Sequence, residues 1–164
     1  MIKVGDVFVI PISGNRKAYG QYVCKSKMGP MIKVFDIITG EIEASLEELE
    51  NARSLFPPVI TGLNAAIKVG LWQKKGKLPV GDYSETQFIS SWWNDKTGEV
   101  YHWSLWDGKQ FIRLGEKLPE KYKELEYNVV WSPYDIVWRI ENNKIPFPYG
   151  DMIKFGRFKP KRTD

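Results

Sequence analysis

The spacing of apolar and polar positions changes several times along the chain, and the first stretches read as strands. Val4-Gly5-Asp6-Val7-Phe8-Val9-Ile10-Pro11 is a β-branched and aromatic run between turn formers, which predicts a strand from Val7 to Pro11. Ser13-Gly14-Asn15 then turns the chain into a second strand, Ala18 to Lys25. Tyr19, Gln21, Val23 and Lys25 line one face of it, and Ala18, Gly20, Tyr22 and Cys24 the other. Gly20 suits a bend or a close approach there. Met28-Gly29-Pro30 breaks the run before a third strand, Met31 to Ile38. Three strands joined by short turns predict an antiparallel meander.

The period then changes to that of a helix. Ser45-Leu46-Glu47-Glu48 places a capping serine three residues before a glutamate, predicting a short helix to about Arg53 with Leu46, Leu49 and Ala52 on one face. Val59 to Thr61 reads as a strand and Leu63 to Val69 as a turn of helix ended by Gly70. Leu71 to Lys74 and Phe88 to Trp92 read as strands around a turn-rich loop, Lys77 to Tyr83, which is a candidate recognition element. The turn Asn94 to Glu99, a strand Val100 to Leu105, the turn Trp106 to Lys109 and a strand Gln110 to Arg113 form a second meander.

Pro119 to Tyr127 predicts a short amphipathic helix, and Val129 to Trp131 one more strand. Ser132-Pro133-Tyr134-Asp135 has Ser at the cap, Pro at the first helical position and an acid in the first turn. It opens a helix to about Glu141 that stacks Ile136 on Ile140. From Asn142 onward, prolines and glycines alternate with aromatics, predicting an ordered arm. The expected fold is mostly β (α+β): an antiparallel, strongly bent sheet or a small barrel, SH3-like at the N-terminus in one form, with two or three short peripheral helices. One domain is expected over residues 1–158, with a frayed basic tail over 159–164.

Composition narrows the function classes. Apolar residues make up 43% and charged residues 27%, a balance that excludes a wholly disordered chain. No run approaches the roughly 20 apolar residues of a membrane span, and the start from Met1 lacks the pattern of a secretory leader, so a cytoplasmic protein with no membrane partner is expected. Cys24 is the only cysteine, which excludes an internal disulfide and a thiolate zinc cluster within one chain. The net charge of +4 comes wholly from Lys154, Arg157, Lys159, Lys161 and Arg162 set against Asp164, leaving residues 1–153 neutral. Glu41 to Glu50 is an acidic stretch without a compensating base, an unusual face for nucleic acid.

Catalytic chemistry finds little support. His102 lies near Asp95, Glu99 and Asp107 in sequence, but a strand over Val100 to Leu105 puts it on a face with Val100 and Ser104, and nothing in that spacing makes ligands converge. Cys24 and His102 could pair as nucleophile and base only in direct contact, whereas a strand cysteine ordinarily packs as a small apolar group. There is no Walker loop, dinucleotide fingerprint or serine elbow. No catalytic residue, metal ligand or cofactor is therefore expected. Lys25, Lys27, Lys74, Lys75 and Lys77 would need to converge with the tail to make a nucleic-acid face. Aromatics reach 14%, and Trp92-Trp93 in one strand would point to opposite faces, freeing at least one for a protein interface.

The opening Val4 to Pro11 run, Tyr19-Gly20-Gln21-Tyr22-Val23, Val34-Phe35-Asp36, Leu46-Glu47-Glu48-Leu49 and Asn64-Ala65-Ala66-Ile67-Lys68-Val69-Gly70-Leu71-Trp72-Gln73-Lys74-Lys75-Gly76 together resemble the immunity protein 26 family of bacterial polymorphic toxin systems. Val130-Trp131-Ser132-Pro133 resembles the family's closing portion, while the Trp-rich Phe88 to Trp106 section departs from its compact middle. The resemblance implies a mostly β antitoxin that binds a cognate protein toxin and blocks it without catalysis. Charge segregation and aromatic excess place the expected contacts at Glu47, Glu48, Lys75, Trp92 and Trp93. The alternative is an SH3-like nucleic-acid binder or a MazF-type ribonuclease, suggested by the Gly-Asp-Val opening and the basic residues, although no acid and base pair emerges for it.

Overall fold

The structure, a computed structural model, describes residues 1–161. Arg162 to Asp164, the end of the expected basic tail, lie outside the described residues. The chain divides into two compact units: Met1–Ser84 with Val129–Lys144, and Glu85–Asn128 with the segment from Ile145 on.

The first unit is built on a six-stranded sheet in the order β10-β4-β3-β2-β1-β5. β1 (Asp6–Ile12), β2 (Arg16–Ser26) and β3 (Gly29–Val34) form the expected antiparallel meander, with Val7 opposite Gln21 and Gly20 opposite Val34. β1 is buried on both faces, so its apolar run is continuous rather than alternating. Val7 and Val9 join Tyr19, Phe35, Ala44, Leu49 and Leu78 in one cluster. On the other face Phe8 stacks on Trp72, ring centroids 5.4 Å apart and 4° from parallel. Gly20 lies directly opposite Phe8, and a Cβ there would come within 2.5 Å of the ring.

β3 ends at Val34, earlier than the pattern suggests, because the extended chain changes partners. Phe35 bridges to Ser54 and Thr39 to Lys17. β4 (Val59–Thr61) and α2 (Leu63–Lys68) follow as expected. β5 begins at Gln73 and reaches Lys77, later than the predicted Leu71 to Lys74. The reason is the left-handed Gly70 (φ 76°), after which the amides of Leu71 and Trp72 donate back to Ala66 O and hold both residues against α2. β10 (Val130–Trp131) pairs parallel with β4, and Thr61 Oγ1 donates to Trp131 O at 2.7 Å. α3 (Pro133–Asn142) is capped by Ser132, buries Ile136 and Ile140, and packs on β1. Its Arg139 is buried, the guanidinium 3.9 Å above the Phe56 ring.

The second unit holds a four-stranded sheet in the order β8-β7-β6-β9. β6 (Phe88–Trp93), β7 (Val100–Trp106) and β8 (Phe111–Gly115) make the second antiparallel meander, while the two-residue β9 (Glu126–Tyr127) runs parallel to β6. The predicted helix over Pro119 to Tyr127 is only a 3-10 turn, Glu120–Tyr122, before β9. The predicted arm after Asn142 contains a helix, α4 (Tyr149–Phe155), that ends at the left-handed Gly156. The fold is thus mostly β, with ten strands in two mixed sheets and four short helices among the described residues. Neither sheet closes into a barrel, which corrects that form of the expectation.

Candidate functional site

On the first unit the acidic stretch is organised by α1 (Leu46–Glu50). Ser45 accepts from Glu48 N at 3.1 Å while Glu48 Oε2 accepts from Ser45 N at 3.2 Å, a complete capping box. Leu49 is buried, and Leu46 lies over Gly76 of β5, where a Cβ would come within 2.8 Å of Leu46 Cδ1. This packing fixes α1 on the β5 edge and leaves Glu47 and Glu48 exposed beyond it. Ser45→Ala should cost about 1 kcal/mol of stability, read as a lower denaturant midpoint at unchanged slope.

Lys75 comes to the same edge from β5, and its Nζ is 3.1 Å from Glu43 Oε2, with Lys17 3.6 Å from Glu43 Oε1. The Lys75 hydrogen bond is the largest influence holding the Glu43 carboxyl below its ordinary pKa. A depressed carboxyl stabilises the fold above its unfolded pKa, and that contribution fades as pH falls through the folded value. Lys74, one residue back, reaches the buried Asp6 at 3.2 Å. Two of the lysines required for a nucleic-acid face are therefore engaged by carboxylates of their own unit.

On the second unit Trp92 is 69% and Trp93 41% exposed, so both tryptophans face solvent. Trp92 pairs across the ladder with Tyr101, in an antiparallel register that shifts between Ser90 and Trp92. Trp93 ends its strand, and its indole N–H donates to Asp95 Oδ1 at 2.9 Å. A groove of 470 Å³ opens beside Trp93, walled by Phe147, Tyr149 and Phe158 with Lys159 and Lys161 along it. Tyr149 is fixed by stacking on Tyr127, centroids 4.2 Å apart. Burial pushes the Tyr127 phenol far above its usual range, and the hydroxyl pairs with Ser91 Oγ at 2.8 Å.

The wall carrying Phe158 is tied to the β6–β7 turn. Phe158 N donates to Gly98 O and Val100 N donates to Gly156 O, both at 2.9 Å, and Arg157 bridges Glu99.

His102 is not in regular strand. Its φ is 54°, a left-handed value rare outside glycine, and the ladders on both sides of β7 slip near it. Its Nδ1 lies 2.8 Å from Glu116 Oε1. Burial first, and the Asp82 carboxylate second, push the Cys24 thiol pKa upward, which disfavours a thiolate nucleophile. Among the described residues no three His, Cys, Asp or Glu side chains are grouped to hold a metal. No described helix is long and apolar enough to cross a membrane.

Glu47, Glu48 and Lys75 are thus gathered on one edge of the first unit, and Trp92 and Trp93 sit together on the second. The sequence reading passed over Tyr134 and Trp138 of α3, both exposed. Their four-residue spacing, opposite to Ile136 and Ile140, is the signal that would have found them. It also passed over Phe147, Tyr149 and Phe158, which only the fold brings round to Trp93.

No curated protein and no solved structure matches the chain. The model of the immunity protein 26 family matches residues 3–99, more than half of the chain, and the chain belongs to that family.

Proposed function

We propose that the chain binds a cognate bacterial protein toxin in the cytoplasm and neutralises it by protein–protein contact, without catalysis. Family membership is the observation that carries this reading. The exposed tryptophans of the second unit and the exposed acidic residues of the first support this reading. Neutralisation calls for an interface of about 1,200–2,000 Å², with aromatic anchors near its centre and charge toward its rim. Trp92 and Trp93 are the proposed aromatic contacts on the second unit, and Glu47, Glu48 and Lys75 the proposed charged contacts on the first, each set judged by itself.

The test first asks whether a gene neighbouring this one encodes a large polymorphic toxin, and then uses the product of that gene. Calorimetric titration should give a stoichiometric complex of submicromolar affinity, and co-expression should restore growth to cells that make the toxin. Changing all five residues to alanine in a folded protein should weaken the complex by at least about 100-fold, since buried aromatic anchors commonly contribute 2 kcal/mol or more each. Unchanged affinity would refute the residue assignment. Absence of any complex, together with salt-sensitive retention of RNA or DNA, would favour the nucleic-acid alternative.

A further inference from the structure

The two sheets treat their edges differently. β5, at one edge of the six-stranded sheet, carries Lys74, Lys75 and Lys77, and the opposite edge, β10, has two residues. Both are ordinary protections against strand pairing. In the four-stranded sheet β9 is equally short, but β8 runs five residues as Phe-Ile-Arg-Leu-Gly. Phe111 is 58% and Ile112 40% exposed there. Neither proline nor a run of like charge guards this edge, and Phe111 is held in place by the Trp106 ring, 4.9 Å away.

The ladder shows which backbone groups are free. Asp107 N donates to Gln110 O at the turn, so the next hydrogen-bonded pair with β7 is Leu105 with Ile112. Trp106–Phe111 and Ser104–Arg113 are then the alternate pairs, and the N–H and C=O of Phe111 and Arg113 point to the open edge. The same alternation carried across β7 turns Ile89 away from it, and Ile89 O does accept from Asn128 N beyond β6.

We propose that β8 pairs antiparallel with β8 of a second copy of this chain, about a two-fold axis through Ile112. An isologous pair must bring outward-facing residues opposite one another, which leaves three registers within the strand. A two-fold at Arg113 sets two arginines face to face, and one at Phe111 sets Lys109 opposite Arg113. Centring on Ile112 places Phe111 opposite Arg113 of the second copy twice over, each guanidinium beside an aromatic ring, with the two isoleucines adjacent on the axis. It satisfies four backbone donors and acceptors on each copy and opposes no like charges. A five-residue strand buries less than the area of a standard stable interface, so the pairing is a concentration-dependent equilibrium.

The experiment is sedimentation equilibrium of the full chain over a wide concentration range. The weight-average mass should rise from the 19.0 kDa of one chain toward twice that value. Arg113→Pro removes an outward N–H without touching the β7 ladder and should weaken association at least 10-fold, while Arg113→Thr, which keeps the N–H, should weaken it less. Ile112→Lys and Ile112→Glu each place like charges on the axis and should stay monomeric alone. Mixed one to one, they should associate at least as tightly as the unsubstituted chain. Circular dichroism confirms that each variant is folded. A mass fixed at one chain throughout the range, or a mixture no heavier than its parts, would overturn the proposal. The same holds if the unsubstituted chain is monomeric and Ile112→Lys instead weakens the toxin complex, because the edge would then belong to the toxin. Toxin binding unaffected by these variants leaves the immunity reading standing whichever way the mass falls.

Discussion

Gly98→Ala is expected to release the C-terminal segment from the β6–β7 turn. Gly98 has φ 74°, a conformation that costs an L-residue about 1 kcal/mol, and its Cβ would fall well inside van der Waals contact with the carbonyl oxygen of Phe158. A backbone carbonyl cannot swing aside as a lysine tip can. Either the Phe158–Gly98 hydrogen bond breaks or the turn deforms. A loss of about 3 kcal/mol is expected, in the range of mutations that combine backbone strain with a broken hydrogen bond. Hydrogen exchange should show Val100 and Phe158 amides losing protection together, while the strands of the first unit keep theirs. Because Phe158 walls the groove beside Trp93, Trp93 emission should also shift toward that of a more hydrated indole. Retained protection at both amides would show that the segment is not held through Gly98.

Gly20→Ala should have a comparable effect in the first unit for a different reason. The backbone there is ordinary strand, and the obstacle is the Phe8 ring, 2.5 Å from the added carbon. That ring is sandwiched between Gly20 and Trp72, so it can move only by leaving its stack. Overpacking of this kind costs about 1–3 kcal/mol. Trp72 is fully buried and its indole N–H has no acceptor among the described residues, so packing alone orients it. Near-ultraviolet circular dichroism should therefore change along with stability. Combining Gly20→Ala with Phe8→Leu should cost less than the two changes summed, because the smaller side chain makes room for the methyl group. Strict additivity would mean that the clash is relieved elsewhere.

The parts of this fold that were legible in the sequence are those governed by local rules. The β1–β3 meander announces itself through β-branched runs between Gly-rich turns. α1 and α3 announce themselves through Ser45 and Ser132 at their caps. β9 could not be read, because two residues carry no period and their parallel partner lies 38 positions earlier, at Phe88. β10 was legible as a strand at Val129 to Trp131, but its parallel partner, 70 positions earlier at Ile60, was not. α4 was hidden by Pro146, Pro148 and Gly150, which read as loop formers. Pro148 in fact sits at the N-cap and Gly156 at the left-handed C-cap, both ordinary helix-end positions. The left-handed turn at His102 has no local signature, so alternation assigned it a face that the backbone does not give it.

The candidate contacts divide in the same way. Exposed Glu47 and Glu48 follow from the helix period, since Leu46 and Leu49 must face inward. Lys75 was legible as a charge but not as the partner of Glu43, which depends on α1 settling over β5. For the tryptophans, alternation predicted opposite faces and at least one of the two free of the core. The ladder slip before Trp92 and the end of the strand at Trp93 leave both in solvent.

The parallel pairing of β10 with β4 also bears on how the protein is made. The first unit draws on Met1–Ser84 and then on Val129–Lys144, so a ribosome must complete the intervening 44 residues before β10 and α3 exist to finish that sheet. Until then β4 has a bare edge, and the buried Phe8 and Ile10 lack the helix that packs on their strand. Sequence-distant closure of this sort slows folding and prolongs exposure of apolar surface. The nascent chain is therefore most prone to aggregate in mid-synthesis. Fragments ending near Ser84 should need a chaperone or fail to fold, although they contain most of the segment by which the family is recognised.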